Sequence, residues 1–188
     1  NTAAMRAGES VVIIGLGGVG LSALLAALDA DAGPVIAVDV EDTKLALARS
    51  LGATAAVHPD ALLELATTLP SLGPDHVLEC IGLAATVELA LRAVRPGGTV
   101  TLVGMTKMGV LAGLDVYRFV EDGIRLLGSN YGSSVPATDF PRIAADVRSG
   151  RLPLERLISG TLALDDVEGA FEAMRRRDGS RRIVRFGS

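Results

Sequence analysis

The sequence has little of what builds metal sites, disulfides or aromatic platforms. It carries one cysteine, two histidines, no tryptophan, two tyrosines and four phenylalanines in 188 residues. A disulfide framework needs paired cysteines, and a zinc site needs three or four Cys, His or carboxylate ligands. Cys80, His58 and His76 show no ligand spacing, so any metal would have to come from outside the chain. Aromatic residues at 3% leave no stacking surface for single-stranded nucleic acid. Eighteen Lys and Arg against 22 Asp and Glu give a net charge of −4, and no basic footprint for nucleic acid results. A solitary cysteine fits a reducing compartment, so a cytoplasmic location is expected.

Charge is also missing from Ser10 to Leu28, a run about as long as a membrane span. Arg6 before it and Ala-Leu-Asp-Ala-Asp-Ala after it lend a faint likeness to a signal peptide. Gly15, Gly17, Gly18 and Gly20 interrupt its middle, however, and separate a Val/Ile half from an Ala/Leu half. A buried strand followed by a buried helix accounts for the same residues, and no membrane partner is expected. The opening Asn1-Thr-Ala-Ala carries no initiator Met, as expected of a fragment or a processed chain.

What is present describes a folded α/β protein. Apolar residues make up 49% and charged residues 21%, which excludes disorder. Glycine is abundant at 22 residues, about 12% against the usual ~7%. Short Val/Ile runs alternate with helical patterns. Strands are expected at 11–14, 35–38, 55–57, 76–79, 99–103 and 124–127. Helices are expected at 19–28, 43–51 with Gly52 as C-cap, 61–69 capped by Asp60, and 84–94. This alternation predicts a doubly wound, six-stranded parallel sheet with helices on both faces, the Rossmann arrangement. The last third reads as a helix at 137–148, an amphipathic piece at 152–158, a helix from Asp165 to about Arg177 and a strand at 182–186. The polar stretch Ser129–Ser134 is the weakest boundary. The expected division is a nucleotide-binding unit over 1–132 and a C-terminal return segment over 133–188.

Gly15-Leu16-Gly17-Gly18-Val19-Gly20 is G-x-G-x-x-G placed after a strand and opening a helix. Gly15 makes the tight turn, Gly17 lets the backbone approach a pyrophosphate, and Gly20 lets the helix pack against the strand. The helix N-terminus then offers N–H groups and its positive dipole end to phosphate. Asp39 follows Gly20 by 19 residues, at the end of the second strand, where a carboxylate accepts from the adenosine ribose hydroxyls. It would repel a 2′-phosphate, so NAD is expected over NADP; Glu41 and Asp42 reinforce the sign, and Lys44 and Arg49 oppose it. The plainer alternative is a glycine-rich turn that only packs a helix. A P-loop is excluded because Leu21 stands where the lysine belongs. The first strand lacks the acidic residue of methyltransferase loops. Tyr117 and Tyr131 are followed four residues on by Glu121 and Val135, not by lysine, and there is no G-x-S-x-G elbow.

Asn1-Thr-Ala-Ala, the run Ala7–Gly20, Val38-Asp39, Leu51-Gly52-Ala53-Thr54, Glu79-Cys80-Ile81-Gly82, Arg95-Pro96-Gly97-Gly98 and Leu102-Val103-Gly104 together resemble the medium-chain, zinc-type alcohol dehydrogenases. The likeness extends over essentially the whole chain, most of all to the class III, thiol-dependent formaldehyde dehydrogenase branch. It implies the coenzyme half of an enzyme that transfers hydride between an alcohol or aldehyde and NAD. The GroES-like domain that holds the catalytic zinc and proton relay is absent from these residues. The resemblance implies no catalytic or metal-ligating residue here, and a chain inactive alone.

By position, the resemblance matches Gly15, Gly17, Gly18 and Val19 to the pyrophosphate loop, and Asp39, Val40 and Lys44 to the ribose contacts. Cys80 and Ile81 match a pocket wall. Val103, Gly104 and Met105 match the loop beside the nicotinamide, and Ser129 and Tyr131 match the backbone that receives its carboxamide. Arg181 matches a late arginine that reaches the pyrophosphate. Duller roles stand beside these. Cys80 reads as a small core residue, Met105 and Met108 as packing, His58 and His76 as structural residues in connectors. The arginines at 175–177, 181, 182 and 185 read as a solvated face. A homo-oligomer paired through the edge of the sixth strand is expected. The rival readings are a non-enzymatic NAD-sensing module and a structural role with a vestigial loop.

Overall fold

The computed structural model describes residues 1–176 and 181–186. Six strands form one parallel sheet: β1 (Val11–Ile14), β2 (Val35–Val38), β3 (Ala55–Val57), β4 (His76–Glu79), β5 (Thr99–Leu102) and β6 (Arg125–Gly128). Their order is β3-β2-β1-β4-β5-β6, the Rossmann order. The apolar runs form strands because both faces are covered. Val11 and Ile13 enter one core cluster and Val12 and Ile14 the other, as the two-residue period of a strand requires.

Helices α1 (Gly18–Asp29) and α2 (Asp42–Leu51) cover the first face with Leu21, Leu24, Leu45 and Ala48. Helices α3 (Pro59–Thr67) and α4 (Ala84–Ala93) cover the second with Leu62, Ala90 and Leu91. Gly52 ends α2 in a left-handed C-cap with φ of 116°, as its sequence position predicts. Helix α3 starts two residues before the expected 61. Pro59 takes the first helical position, where its missing N–H costs nothing. Asp60 therefore lies inside the first turn and His58 is the N-cap.

Two elements were not expected. Helix α5 (Val116–Glu121) precedes β6, capped by Asp115, whose side chain accepts from the Arg118 N–H at 3.0 Å. The C-terminal third contains α6 (Pro136–Arg148), strand β7 (Gly160–Ala163), α7 (Val167–Arg175) and β8 (Arg182–Arg185). Strand β7, absent from the sequence reading, pairs in parallel with β8 as a separate two-stranded sheet. Arg177, where the last helix was expected to end, lies outside the described residues. Leu152 and Leu157, with Ile143 and Val147 of α6, pack into the α1 and α2 side of the core. Among the described residues, no helix is long and apolar enough to cross a membrane.

Candidate functional site

Strand order reverses between β1 and β4, because β1 continues to β2 on one side and the chain returns to β4 on the other. Open α/β sheets bind ligands in the crevice at the carboxyl ends of the strands at such a point. The turn from β1 into α1 lies there. Gly15 donates its N–H to Val38 O at 2.8 Å and has φ of 94°, a left-handed conformation that glycine adopts without strain. A Cβ on Gly20 would overlap the carbonyl oxygen of Gly15, so that helix and turn touch backbone to backbone. Gly17 is the N-cap of α1, and a Cβ there would meet nothing within 4 Å. Its face is open to the crevice. The first turn of α1 holds no acidic residue and no side-chain cap, so no side chain of the helix itself offsets its positive end.

Asp39 follows β2 and is 7% exposed. Its Oδ2 accepts the Leu16 N–H at 2.7 Å and its Oδ1 the Glu41 N–H at 3.1 Å. These bonds tie the carboxylate to the phosphate turn. A carboxylate has about four acceptor positions, so it retains capacity for ribose hydroxyls. Lys44 Nζ lies 3.7 Å from Oδ1 and offsets part of the charge. Val19, Val40 and Ile81, about half exposed, follow the ends of β1, β2 and β4 and give the crevice an apolar rim beside the Asp39 carboxylate.

On the β4 side, Glu79 is fully buried. Its carboxylate accepts the N–H groups of Ile81 and Gly82, each at 2.9 Å, and the Thr86 hydroxyl at 2.8 Å. It holds the turn that carries Ile81 into the crevice. Sequence reasoning gave Glu79 no role beyond its motif. A charged residue closing a buried strand, three residues before a glycine, was the available signal. Gly82 packs against the backbone of Met105 and Gly104 against that of Ile81 and Gly82, while Val103 and Gly104 donate their N–H groups to Glu79 O. The β4 and β5 turns are therefore tied to each other backbone to backbone.

The expected residues separate by place. Gly15 through Gly20, Asp39, Val40, Lys44 and Ile81 meet at the reversal point. Val103, Gly104 and Met105 extend the rim across β5, with Met105 largely exposed. Ser129 and Tyr131 follow β6; the Ser129 N–H is spent on Leu102 O at 2.8 Å. The Cys80 side chain packs against the α1 side of the core, and burial, followed by the Glu79 charge, pushes its thiol up to about 12. Arg181 arrives from the C-terminal pair, its backbone N–H donating to Ser159 Oγ at 3.1 Å. Its Nη2 lies 2.9 Å from where a Gly18 Cβ would stand, so the guanidinium covers the phosphate turn.

His58, the N-cap of α3, pairs with Asp42 at 3.0 Å, and His76, which opens β4 rather than lying in a connector, pairs with Glu9 at 2.8 Å. Asp75 clamps Ser10 and Arg95 below the sheet. Burial alone would raise its carboxyl, but bonds from Ser10 and Arg95 bring it down to about 2. Among the described residues, no group of three or more His, Cys, Asp or Glu is placed to hold a metal ion. The residues here therefore do not fit a catalytic zinc, whereas the glycine cradle and Asp39 fit a dinucleotide.

The known proteins that this chain is similar to include dehydrogenases. An S-(hydroxymethyl)glutathione dehydrogenase of Escherichia coli O1:K1 / APEC is 29% identical over 99% of this chain and 52% of its own length. The crystal structure of an alcohol dehydrogenase zinc-binding domain protein from Burkholderia ambifaria superposes with a TM-score of 0.94 at 32% identity, covering 99% of this chain and 50% of that one. A putative zinc-binding dehydrogenase from Sinorhizobium meliloti 1021, bound to NADP, superposes with a TM-score of 0.80 at 29% identity, covering 97% and 53%. The chain thus spans about half the length of the relatives it matches. The zinc-binding dehydrogenase family matches residues 18–148, the span from the first helix of the phosphate cradle to the end of α6, and the chain belongs to that family.

Proposed function

We propose that this chain is the NAD(H)-binding half of an oxidoreductase that moves hydride between an alcohol or aldehyde and the coenzyme. The observation that carries this reading is the pairing of an open Gly17 face with a buried Asp39 carboxylate across one crevice. Gly17, Gly18 and Val19 would hold the pyrophosphate on the N-terminus of α1, with Arg181 above it as a planar charged donor suited to phosphate. Asp39 would accept from the adenosine ribose, with Val40 and Ile81 against the adenosine. Val103 to Met105, Ser129 and Tyr131 would line the nicotinamide end. Bound NAD supplies the hydride acceptor; these residues bind and orient it and exclude water from one side.

The zinc chemistry of such an enzyme belongs to residues outside this chain. Residues 1–132 form the coenzyme unit in this reading, and 133–188 brace it. Asp39 sets a preference for NAD, weakened by Lys44. The exposed edge at β6 is the proposed pairing surface for a second copy. Titration calorimetry of the chain with NADH tests the reading: micromolar to sub-millimolar binding supports it, and a folded chain that binds no NADH at millimolar concentration refutes it. Alcohol-dependent NAD reduction by the full-length protein separates the enzyme from an NAD-sensing module.

A further inference from the structure

We propose that Thr2 is a positioning residue for the nicotinamide end of the coenzyme. Its hydroxyl clamps the turn after β6 in a conformation that the turn does not hold by itself. The proposal rests on the coenzyme reading above.

Tyr131, Gly132 and Ser133 have φ of 50°, 67° and 51°, three successive left-handed residues. Only the glycine adopts that conformation without steric conflict. Such backbone persists when its surroundings over-determine it. Inside the turn, Ser133 N–H donates to Asn130 O at 3.1 Å and Ser134 N–H to Tyr131 O at 3.3 Å. The Tyr131 side chain is 91% exposed and contributes little packing.

The remaining restraint comes from more than 120 residues earlier in the chain. Thr2 Oγ1 donates to Ser129 Oγ at 3.2 Å and shares a 2.7 Å bond with Ser133 Oγ. A hydroxyl has one proton and two lone pairs, so Thr2 donates to Ser129 while accepting from Ser133. It thereby spans the turn from its first residue to its last left-handed one. Asn1 Nδ2 adds a bond to Ser133 O at 3.3 Å and one to Asp139 Oδ2 at 3.0 Å. Because Asp139 also accepts the Val135 N–H at 2.8 Å, the clamp reaches the start of α6. The adenosine half of the crevice, at Gly15 to Gly20 and Asp39, has no hydrogen bond to Thr2 among the described residues.

This geometry separates the two halves of the ligand. ADP-ribose carries the groups that the glycine turn and Asp39 bind, and NADH adds the nicotinamide. Calorimetry on the chain, with each ligand in turn, compares wild type, Thr2→Val and Thr2→Ser. Thr2→Val keeps the shape and removes the hydroxyl. It should weaken NADH by about fivefold, the effect of roughly one neutral hydrogen bond, and leave ADP-ribose unchanged. Thr2→Ser should restore NADH binding. Equal weakening of both ligands, an unchanged NADH affinity in Thr2→Val, or no rescue by Thr2→Ser would each overturn the proposal. Wild-type chain that binds neither ligand refutes the coenzyme reading itself, a result distinct from these.

Discussion

Gly17 and Gly20 lie three residues apart in one turn, yet the structure assigns opposite consequences to an added methyl. At Gly17 the backbone has φ of −75° and ψ of −169°, which any residue adopts, and the new Cβ meets no atom within 4 Å. Losing glycine at an N-cap costs a few tenths of a kcal/mol or more, and restricting the unfolded chain returns about 0.4–1 kcal/mol. Gly17→Ala should therefore unfold in urea within about 1 kcal/mol of wild type. The same Cβ projects into the crevice where the pyrophosphate would lie. An overpacked contact of about 1–3 kcal/mol there weakens ADP-ribose by roughly fivefold to 150-fold. At Gly20 the new Cβ overlaps the Gly15 carbonyl oxygen, a backbone atom that cannot swing away. Gly20→Ala should lose about 3 kcal/mol or more of stability. Urea melts and ADP-ribose calorimetry on the two variants read both effects. If Gly17→Ala binds ADP-ribose as wild type does, or destabilises as much as Gly20→Ala, the assignment of the turn is wrong.

Asp39→Asn removes the charge that repels a 2′-phosphate and leaves Lys44 unpaired, so the preference for NADH over NADPH should fall by about tenfold or more; an unchanged ratio in competitive titrations would contradict the role of Asp39. Glu79→Ala leaves the buried Gly82 N–H and the partly buried Ile81 N–H without their acceptor, while the Thr86 hydroxyl keeps its bond to Leu83 O, and should cost about 3 kcal/mol in urea unfolding; a loss under about 1 kcal/mol would show that the turn stands without it. Asp75 is depressed from 3.8 to about 2, so its contribution is present above pH 3.8 and lost as pH falls toward 2. After discounting for solvent screening this is about 1 kcal/mol; wild type should exceed Asp75→Asn by that amount at pH 6, and the gap should close near pH 2.

The middle of the sheet was legible because β1 and β2 are buried on both faces, which turns Val11–Ile14 and Val35–Val38 into uninterrupted apolar runs. Helix α5 was not legible. It is six residues long with no buried residue, so it shows no periodicity, and only its Asp115 cap marks it. Strand β7 alternates half-buried and exposed positions and pairs only with β8, across a separation that local pattern does not reveal. In the site, Asp39 was readable from spacing because glycine turn and carboxylate belong to one β-α-β unit. Arg181 over Gly18 came from family likeness, since nothing local ties the last strand to the first turn. Glu79 and Thr2 act through bonds that exist only once their turns are closed, and neither bond set leaves a periodic trace.

The most direct measurement is a crystal structure of the chain soaked with NADH. The diphosphate should lie against the Gly17, Gly18 and Val19 backbone with the Arg181 guanidinium beside it, and the adenosine ribose hydroxyls should be within hydrogen-bond distance of Asp39. Coenzyme density at any other surface, with the crevice closed by protein, would contradict the account.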